Sequence, residues 1–229
     1  LESVIAGYGS GAADYAKSHN ARVLNIDIGG GTSNYVVFEA GRIVDTACLN
    51  VGGHLIEFDA SGKIKYLHKP AQIIAEALLG SIDFKSIEIN QITRIIQQMA
   101  QLVYEVIIGK PSELAQQLLM TECLKSGQQY DAVFISGGVG QCFYEPIQQT
   151  AFEKYGDIGP LLAKCLHENI HIMTLPLRTP KHTVRATVIG AGAYTLSLSG
   201  STIWIDPQKL PVRNIPVIHA SGDSLDIKM

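Results

Sequence analysis

Apolar residues change their period several times along the chain, and each change marks an element. Residues 1 to 18 scatter Val4, Ile5, Ala6, Tyr15 and Ala16 among small residues, which predicts a helix loosened by Gly7, Gly9 and Gly11. From Arg22 the helical spacing gives way to strand-like runs, Val23 to Ile28, Tyr35 to Phe38 and Ile43 to Leu49. A glycine turn and Ala40-Gly41 separate them, so an antiparallel three-stranded meander is expected. Residues 54 to 68 predict short strands around Ser61-Gly62, and Pro70 to Leu79 a short helix. Ile92, Ile95, Ile96, Met99, Leu102, Val103, Val106 and Ile107 then recur at spacings of three and four, painting one apolar stripe on a helix over 88 to 108. Gly109 and Pro111 end it. Its other side carries Arg94, Gln97, Gln98, Gln101 and Glu105, read as a solvated face, with adenine contact from Arg94 as the alternative.

A second helix is expected from Glu113 to Leu124, followed by a strand over Asp131 to Ser136 whose continuous apolar run suits burial on both faces. Gly137-Gly138-Val139-Gly140 breaks that strand. Ile158 to His167 predicts a helix, His171 to Leu175 a strand, and Val184 to Leu198 a helix of small residues around Gly190 and Gly192. From Ser201 the chain holds Pro207, Pro211 and Pro216 and reads as an irregular tail over 201 to 229. The order predicts a mixed α/β fold. Residues 1 to 53 and 129 to 200 form its core, and 54 to 128 an inserted, mainly helical subdomain.

Composition narrows the function classes. With 229 residues, 46% of them hydrophobic, the chain can bury a substantial core. A formal net charge of -3 and the lack of any Lys/Arg-rich run argue against nucleic acid as a partner. Cys48, Cys123, Cys142 and Cys165 are widely separated, without a Cys-x-x-Cys pair, and read as reduced thiols of a cytoplasmic protein. No run of 18 apolar residues and no basic leader is present, so neither a membrane span nor secretion is indicated. The start at Leu1 reads as that of an excised fragment.

Candidate chemistry concentrates in the two glycine-rich segments. In Asp27-Ile28-Gly29-Gly30-Gly31-Thr32, glycines open φ angles closed to other residues and remove side chains that would obstruct an anion. Successive N–H groups can then converge on a phosphate. Thr32 adds a hydroxyl, and Asp27 a carboxylate placed to hold a hydrated Mg²⁺. The alternative is a plain hairpin in which Asp27 caps a backbone N–H. Ser136-Gly137-Gly138-Val139-Gly140 offers a second bare backbone edge, suited to an adenine ring and its ribose. Three other patterns compete. His167-Glu168-Asn169-Ile170-His171 imitates a zinc-protease helix but reads as a surface helix end, with Thr174 and Leu177 failing the longer signature. Gly7-x-Gly9-x-x-Ala12, with Asp27 further on, imitates a dinucleotide fingerprint, yet Val4-Ile5-Ala6 is too short a strand before it. His54, His68 and His182 are scattered singly and read as surface or structural residues.

Ile26-Asp27-Ile28-Gly29-Gly30-Gly31-Thr32 resembles the second phosphate motif of the actin, Hsp70 and sugar-kinase superfamily, and Val133 to Gly140 resembles its adenosine motif. Leu1 to Gly11 and Ala186 to Leu198 look like its two connecting helices. Leu1 to Gly7, Arg22 to Thr32, Thr46 to Gly53 and Val184 to Ala193 are similar, more narrowly, to the reactivating factors of ethanolamine ammonia-lyase. The resemblance implies an actin-like ATPase half-domain with a ribonuclease H-like mixed sheet. Asp27, Gly29, Gly30, Gly31 and Thr32 would hold phosphate and Mg²⁺, with Asp27 reaching the metal through water, and Gly137, Gly138 and Val139 would hold adenosine. It implies an ATP-dependent chaperone, in the cytoplasm or at a bacterial microcompartment, that releases damaged cobalamin from the lyase. Cobalamin would be handled on the lyase, and a homodimer stays open. The superfamily's first phosphate motif would lie in an N-terminal domain before Leu1. The resemblance departs at Asn34, where many Hsp70-like relatives carry Asp. A small-molecule kinase, an actin-like filament protein and an NAD-binding oxidoreductase are the alternative functions.

Overall fold

The structure is a computed structural model that describes residues 1–59, 61–81, 87–145 and 156–198. The meander is present as β1 (Arg22–Ile28), β2 (Ser33–Glu39) and β3 (Arg42–Leu49), paired antiparallel with Asp27 opposite Asn34. On the other side of β1, β6 (Ala132–Ser136) pairs in parallel with Asp27 level with Ser136, and β7 (Leu177–Arg178) lies parallel to β6. The sheet order is therefore β3-β2-β1-β6-β7. Between β3 and β6 the chain forms the hairpin β4 (Ile56–Phe58) and β5 (Ile64–Leu67), then α3 (Lys69–Leu79), α4 (Ile89–Ile107) and α5 (Glu113–Leu118).

Alternation along the strands sorts the two faces. Leu24, Ile26, Ile28, Tyr35, Val37, Val133 and Ile135 join the larger core with the α4 stripe and with α7 (Gly159–Glu168). Val23, Val36, Phe38, Ala132 and Phe134 face the alanines of α2 (Ala12–His19). Asn25, Asp27, Asn34 and Ser136 share the parity of this second face, so most of the buried polar residues of the central strands lie on it, Ser33 at the start of β2 having the opposite parity. There α1 (Glu2–Gly9) packs against α9 (Ala186–Leu198). The approach is close: a Cβ on Gly9 would stand 1.7 Å from the Ala186 carbonyl oxygen, and one on Gly190 1.8 Å from that of Ile5.

The architecture is the expected mixed α/β one, with helices on both faces of a mixed sheet, and four local readings change. The single N-terminal helix is two, divided where Gly11 takes φ 88°. The helix from Glu113 stops at Leu118 because Leu119 turns extended and bridges Leu49, while Met120 N–H donates to Cys48 O. Residues 137 to 140 do not form a bare turn but open α6 (Gly137–Tyr144). The strand expected at His171 to Leu175 is instead the one-turn α8 (Ile170–Met173), because the Asn169 side chain caps the N–H groups of His171 and Ile172. The tail from 201 to 229 lies outside the described residues.

Candidate functional site

Both glycine segments arrive at the same edge of the sheet. β1 and β6 are parallel neighbours, but the chain leaves β1 toward β2 on one side, and the strand after β6 is β7 on the other. In an open sheet, such a divergence leaves a crevice at the carboxyl ends of the two strands. The segments touch there: a Cβ on Gly137 would lie 2.3 Å from the Ile28 carbonyl oxygen, and Gly137 holds φ +86°. Glycine is required at that position by both conformation and space.

The first turn is a tight link from β1 to β2, closed by Gly29 N–H donating to Thr32 O at 3.0 Å. None of Gly29, Gly30 or Gly31 lies in the left-handed region, which corrects the expectation that these glycines serve unusual φ angles. Packing inside the protein does not demand them all either. A Cβ on Gly31 would meet nothing within 4 Å, and one on Gly29 only the Thr32 oxygen at 3.9 Å. The turn is held from one side by residues 52 to 54. Gly53 N–H donates to Gly29 O at 2.9 Å and His54 N–H to Gly30 O at 2.6 Å. In a trans peptide the next N–H points opposite to the carbonyl. The N–H groups of Gly30 and Gly31 therefore face away from this strap, and with that of Thr32 they have no hydrogen-bond acceptor among the described residues. Asn34 Nδ2 donates to Thr32 Oγ1 at 3.2 Å, which leaves the Thr32 hydroxyl proton free to donate elsewhere. Asn34 thus orients a donor where an aspartate would have consumed it.

Asp27 sits one residue before the end of β1 and is 5% exposed. Ser136 Oγ donates to its Oδ1 at 2.7 Å, Asn25 Nδ2 donates to Ser136 Oγ at 3.2 Å, and Thr187 Oγ1 of α9 lies 3.4 Å from Oδ2. Burial, above all, raises the Asp27 carboxyl above its ordinary range; the Ser136 hydrogen bond opposes this, Glu2 adds to it, and Thr187 opposes it. None of these groups is a cation. A buried carboxylate with one short hydrogen bond and no positive neighbour is a fitting oxygen donor to a hydrated Mg²⁺. The network ends on an orphan, since Asn25 Oδ1 is buried without a hydrogen-bond partner.

In the second segment Ser136 is the N-cap of α6, but its hydroxyl is spent on Asp27 and makes no cap. Among the described residues the first N–H groups of that helix stay open apart from Gly137, whose N–H donates to Thr183 O at 3.2 Å. Gly138 is exposed, and a Cβ there would meet nothing within 4 Å. Val139 is 2% exposed in the larger core, so it presents backbone only. The structure thus gathers Asp27, Gly29, Gly30, Gly31, Thr32, Gly137, Gly138 and the Val139 backbone at one edge.

Sequence reasoning missed Asn25 and Thr187 and the bond of Ser136 to Asp27, which appear only when two strands and a distant helix meet. His54 and His68, read as singly scattered surface or structural residues, each have a carboxylate partner. His54 Nδ1 stands 3.1 Å from Asp157 Oδ2, and His68 Nε2 stands 3.0 Å from Glu57 Oε1, so neither is isolated. The two histidines of the protease-like pattern are divided by the helix break at Asn169; His167 stacks on Phe143 and His171 on Tyr104. Among the described residues no group of three or more His, Cys, Asp or Glu could hold a metal ion. The dinucleotide-like glycines lie in and after a helix, Glu2–Gly9, where that fingerprint needs a strand. No helix among the described residues is long and apolar enough to cross a membrane.

The chain is 49% identical over 226 residues to the ethanolamine ammonia-lyase reactivase EutA of Salmonella typhimurium, covering 98% of this chain and 48% of that protein. It is 50% identical over 219 residues to the Escherichia coli K12 protein of the same name, covering 95% of this chain and 46% of that one. The chain spans about half the length of the curated relatives it matches. Among solved structures, an Aquifex aeolicus member of the Ppx/GppA family aligns with a TM-score of 0.43 at 12% identity, over 87% of this chain and 63% of that one. The model of the family described as ethanolamine utilisation protein EutA matches residues 1–228, and the chain belongs to that family.

Proposed function

We propose that the chain is a nucleotide-binding, actin-like half of an ATP-dependent reactivase acting on adenosylcobalamin-dependent ethanolamine ammonia-lyase. One observation carries the reading. Among the described residues the N–H groups of Gly30, Gly31 and Thr32 are unpaired and those of Gly30 and Gly31 turn outward, at a tip where nothing described crowds a side chain on Gly29 or Gly31. Bare, outward N–H groups are what an approaching phosphate requires. The uncapped start of α6 beside them adds further donors and the positive end of a helix dipole.

Asp27 would hold Mg²⁺ through water, with Ser136 and Thr187 fixing the orientation of its carboxylate. Bound there, Mg²⁺ would neutralise phosphate charge. Gly137, Gly138 and the Val139 backbone would support the nucleoside, and Thr32 would donate its hydroxyl to a phosphate oxygen. Thr187 joins the site to α9, which is locked onto α1 by Gly9 and Gly190, so a change in ligand at Asp27 has a direct route to that helix pair. The relatives' name supports the lyase as partner, with cobalamin handled on the lyase. Residues 54 to 128, as the inserted part, are the surface proposed to meet it.

Calorimetric titration of Mg-ADP tests the reading. The wild-type chain should bind, and the double variant Asp27→Ala, Gly30→Val should not. Equal binding by both would reject this turn as the site. Phosphate transfer to a small molecule without a partner protein would favour a kinase, and nucleotide-dependent sedimentation would favour a filament protein.

A further inference from the structure

Asn25 is wholly buried, and nothing in the nucleotide reading so far uses it. We propose that Asn25 is a positioning residue of the nucleotide site, its amide holding the Ser136 hydroxyl on the Asp27 carboxylate that would take up hydrated Mg²⁺. This rests on the nucleotide reading and assigns a further residue to its site.

Register sets Asn25 apart. On the face of the sheet that carries Asp27, strands β2, β1 and β6 lay their side chains in three rows. Phe38, Val23 and Ala132 form the first row, and Asn34, Asp27 and Ser136 the last, at the carboxyl ends of β1 and β6. The middle row is Val36, Asn25 and Phe134, so an amide stands where both neighbours in register are apolar. It reaches into the polar row: Nδ2 donates to Ser136 Oγ at 3.2 Å, and Ser136 Oγ donates to Asp27 Oδ1 at 2.7 Å.

Only one direction of donation satisfies the three groups. A serine hydroxyl has one proton, and an ionised carboxylate only accepts. With that proton on Asp27, Ser136 Oγ can only accept from Asn25, which must present Nδ2 and turn Oδ1 away. That Oδ1 is buried without a hydrogen-bond partner among the described residues. An orphaned carbonyl is destabilising, and an apolar residue in this row would avoid it. The amide is therefore kept for what Nδ2 does.

Ser136 also has a competing partner. It is the N-cap of α6, a position where serine ordinarily accepts a helix N–H, and here its side chain makes no such bond. Asn25 supplies the donor that Oγ would otherwise find in the helix, and so keeps the hydroxyl turned to Asp27. Of the groups around that carboxyl, Ser136 does most to offset the rise caused by burial. Without Asn25 the hydroxyl is free to turn to α6, which leaves Asp27 only Thr187 Oγ1 at 3.4 Å.

Titration of ADP in excess Mg²⁺ and in EDTA tests this with the wild-type chain, Asn25→Leu, Ser136→Ala and the double variant, each also melted thermally. The ratio of the two affinities is the Mg²⁺ coupling. Asn25→Leu should melt no earlier than wild type, lose little affinity in EDTA, and lose about tenfold in the Mg²⁺ coupling. Ser136→Ala should lose a similar factor, and the double variant no more than the larger single loss, because the two residues act in series. Wild-type coupling in Asn25→Leu, equal weakening with and without Mg²⁺, or multiplied losses in the double variant would each overturn the proposal. If leucine overpacks the strand and unfolds the chain, Asn25→Ala takes its place; unfolding of both makes Asn25 a structural residue and overturns the proposal too. Failure of the wild-type chain to bind ADP in either condition would instead reject the nucleotide reading itself, before any variant is compared.

Discussion

At Asp27 burial works against the ionised carboxyl. Its folded carboxyl titrates above the ordinary value of 3.8 because burial disfavours the charge. A raised folded value means that the associated stability is present below pH 3.8 and is lost as pH rises through the folded value. Asp27→Asn should therefore raise the melting temperature at pH 7, lose that gain below about pH 4, and abolish Mg²⁺-dependent nucleotide binding. A variant that melts earlier at pH 7 would show that the carboxylate is stabilising instead. The glycines divide by the same logic. Gly137→Ala should destabilise by about 1–2 kcal/mol for the left-handed backbone alone, more for the contact with Ile28, whereas Gly31→Ala should leave denaturant unfolding unchanged. Gly31→Val should weaken Mg-ADP binding without altering the melt. The motif was legible in the sequence because glycine runs are rare next to a strand-ending aspartate. The reason for each glycine was not, since a demand for left-handed φ and a demand for empty space have the same one-letter code.

At the scale of elements, periodicity carried most of the reading. β1 to β3 and α4 fall within a few residues of their expected bounds, β1 and β2 being buried along nearly their whole length and α4 along one stripe, and Met99→Ala in that stripe should cost about 2–5 kcal/mol in denaturant unfolding. Two of the elements that departed from expectation have ends that touch distant partners, while the other two turn on Gly11 and on the Asn169 cap. Leu119 leaves its helix to pair with β3, and the second glycine segment opens a helix whose first residue, Gly137, rests on Ile28. The contact of α1 with α9 depends on two glycines that face each other's backbone. Gly190→Val should force the helices apart, cost about 1–3 kcal/mol as overpacking, and weaken Mg-ADP binding by withdrawing Thr187 from Asp27. Unchanged affinity in a folded Gly190→Val variant would show that α9 has no hold on the site.

For the whole molecule, binding and folding are linked. A ligand present at a hundred times its dissociation constant stabilises the folded state by about 2.7 kcal/mol. Mg-ADP should raise the melting temperature of this chain, EDTA should reduce the shift, and NAD should produce none. A shift with NAD and none with Mg-ADP would reverse the assignment. In the whole reactivase, Asp27→Ala with Gly30→Val should abolish ATP hydrolysis and recovery of the inactivated lyase together.

Turn chemistry and hydrophobic period by themselves determined the meander, the long helix and the candidate phosphate turn, because each depends on neighbours within a few residues. Tertiary structure alone decided what surrounds that turn. Ser136 and Thr187 reach Asp27 from two other elements, Asn25 bonds Ser136 in turn, and Asp157 reaches His54 across more than a hundred residues. Such contacts leave no local trace, since burial and pairing of a polar side chain are properties of the packed chain and not of the residues beside it.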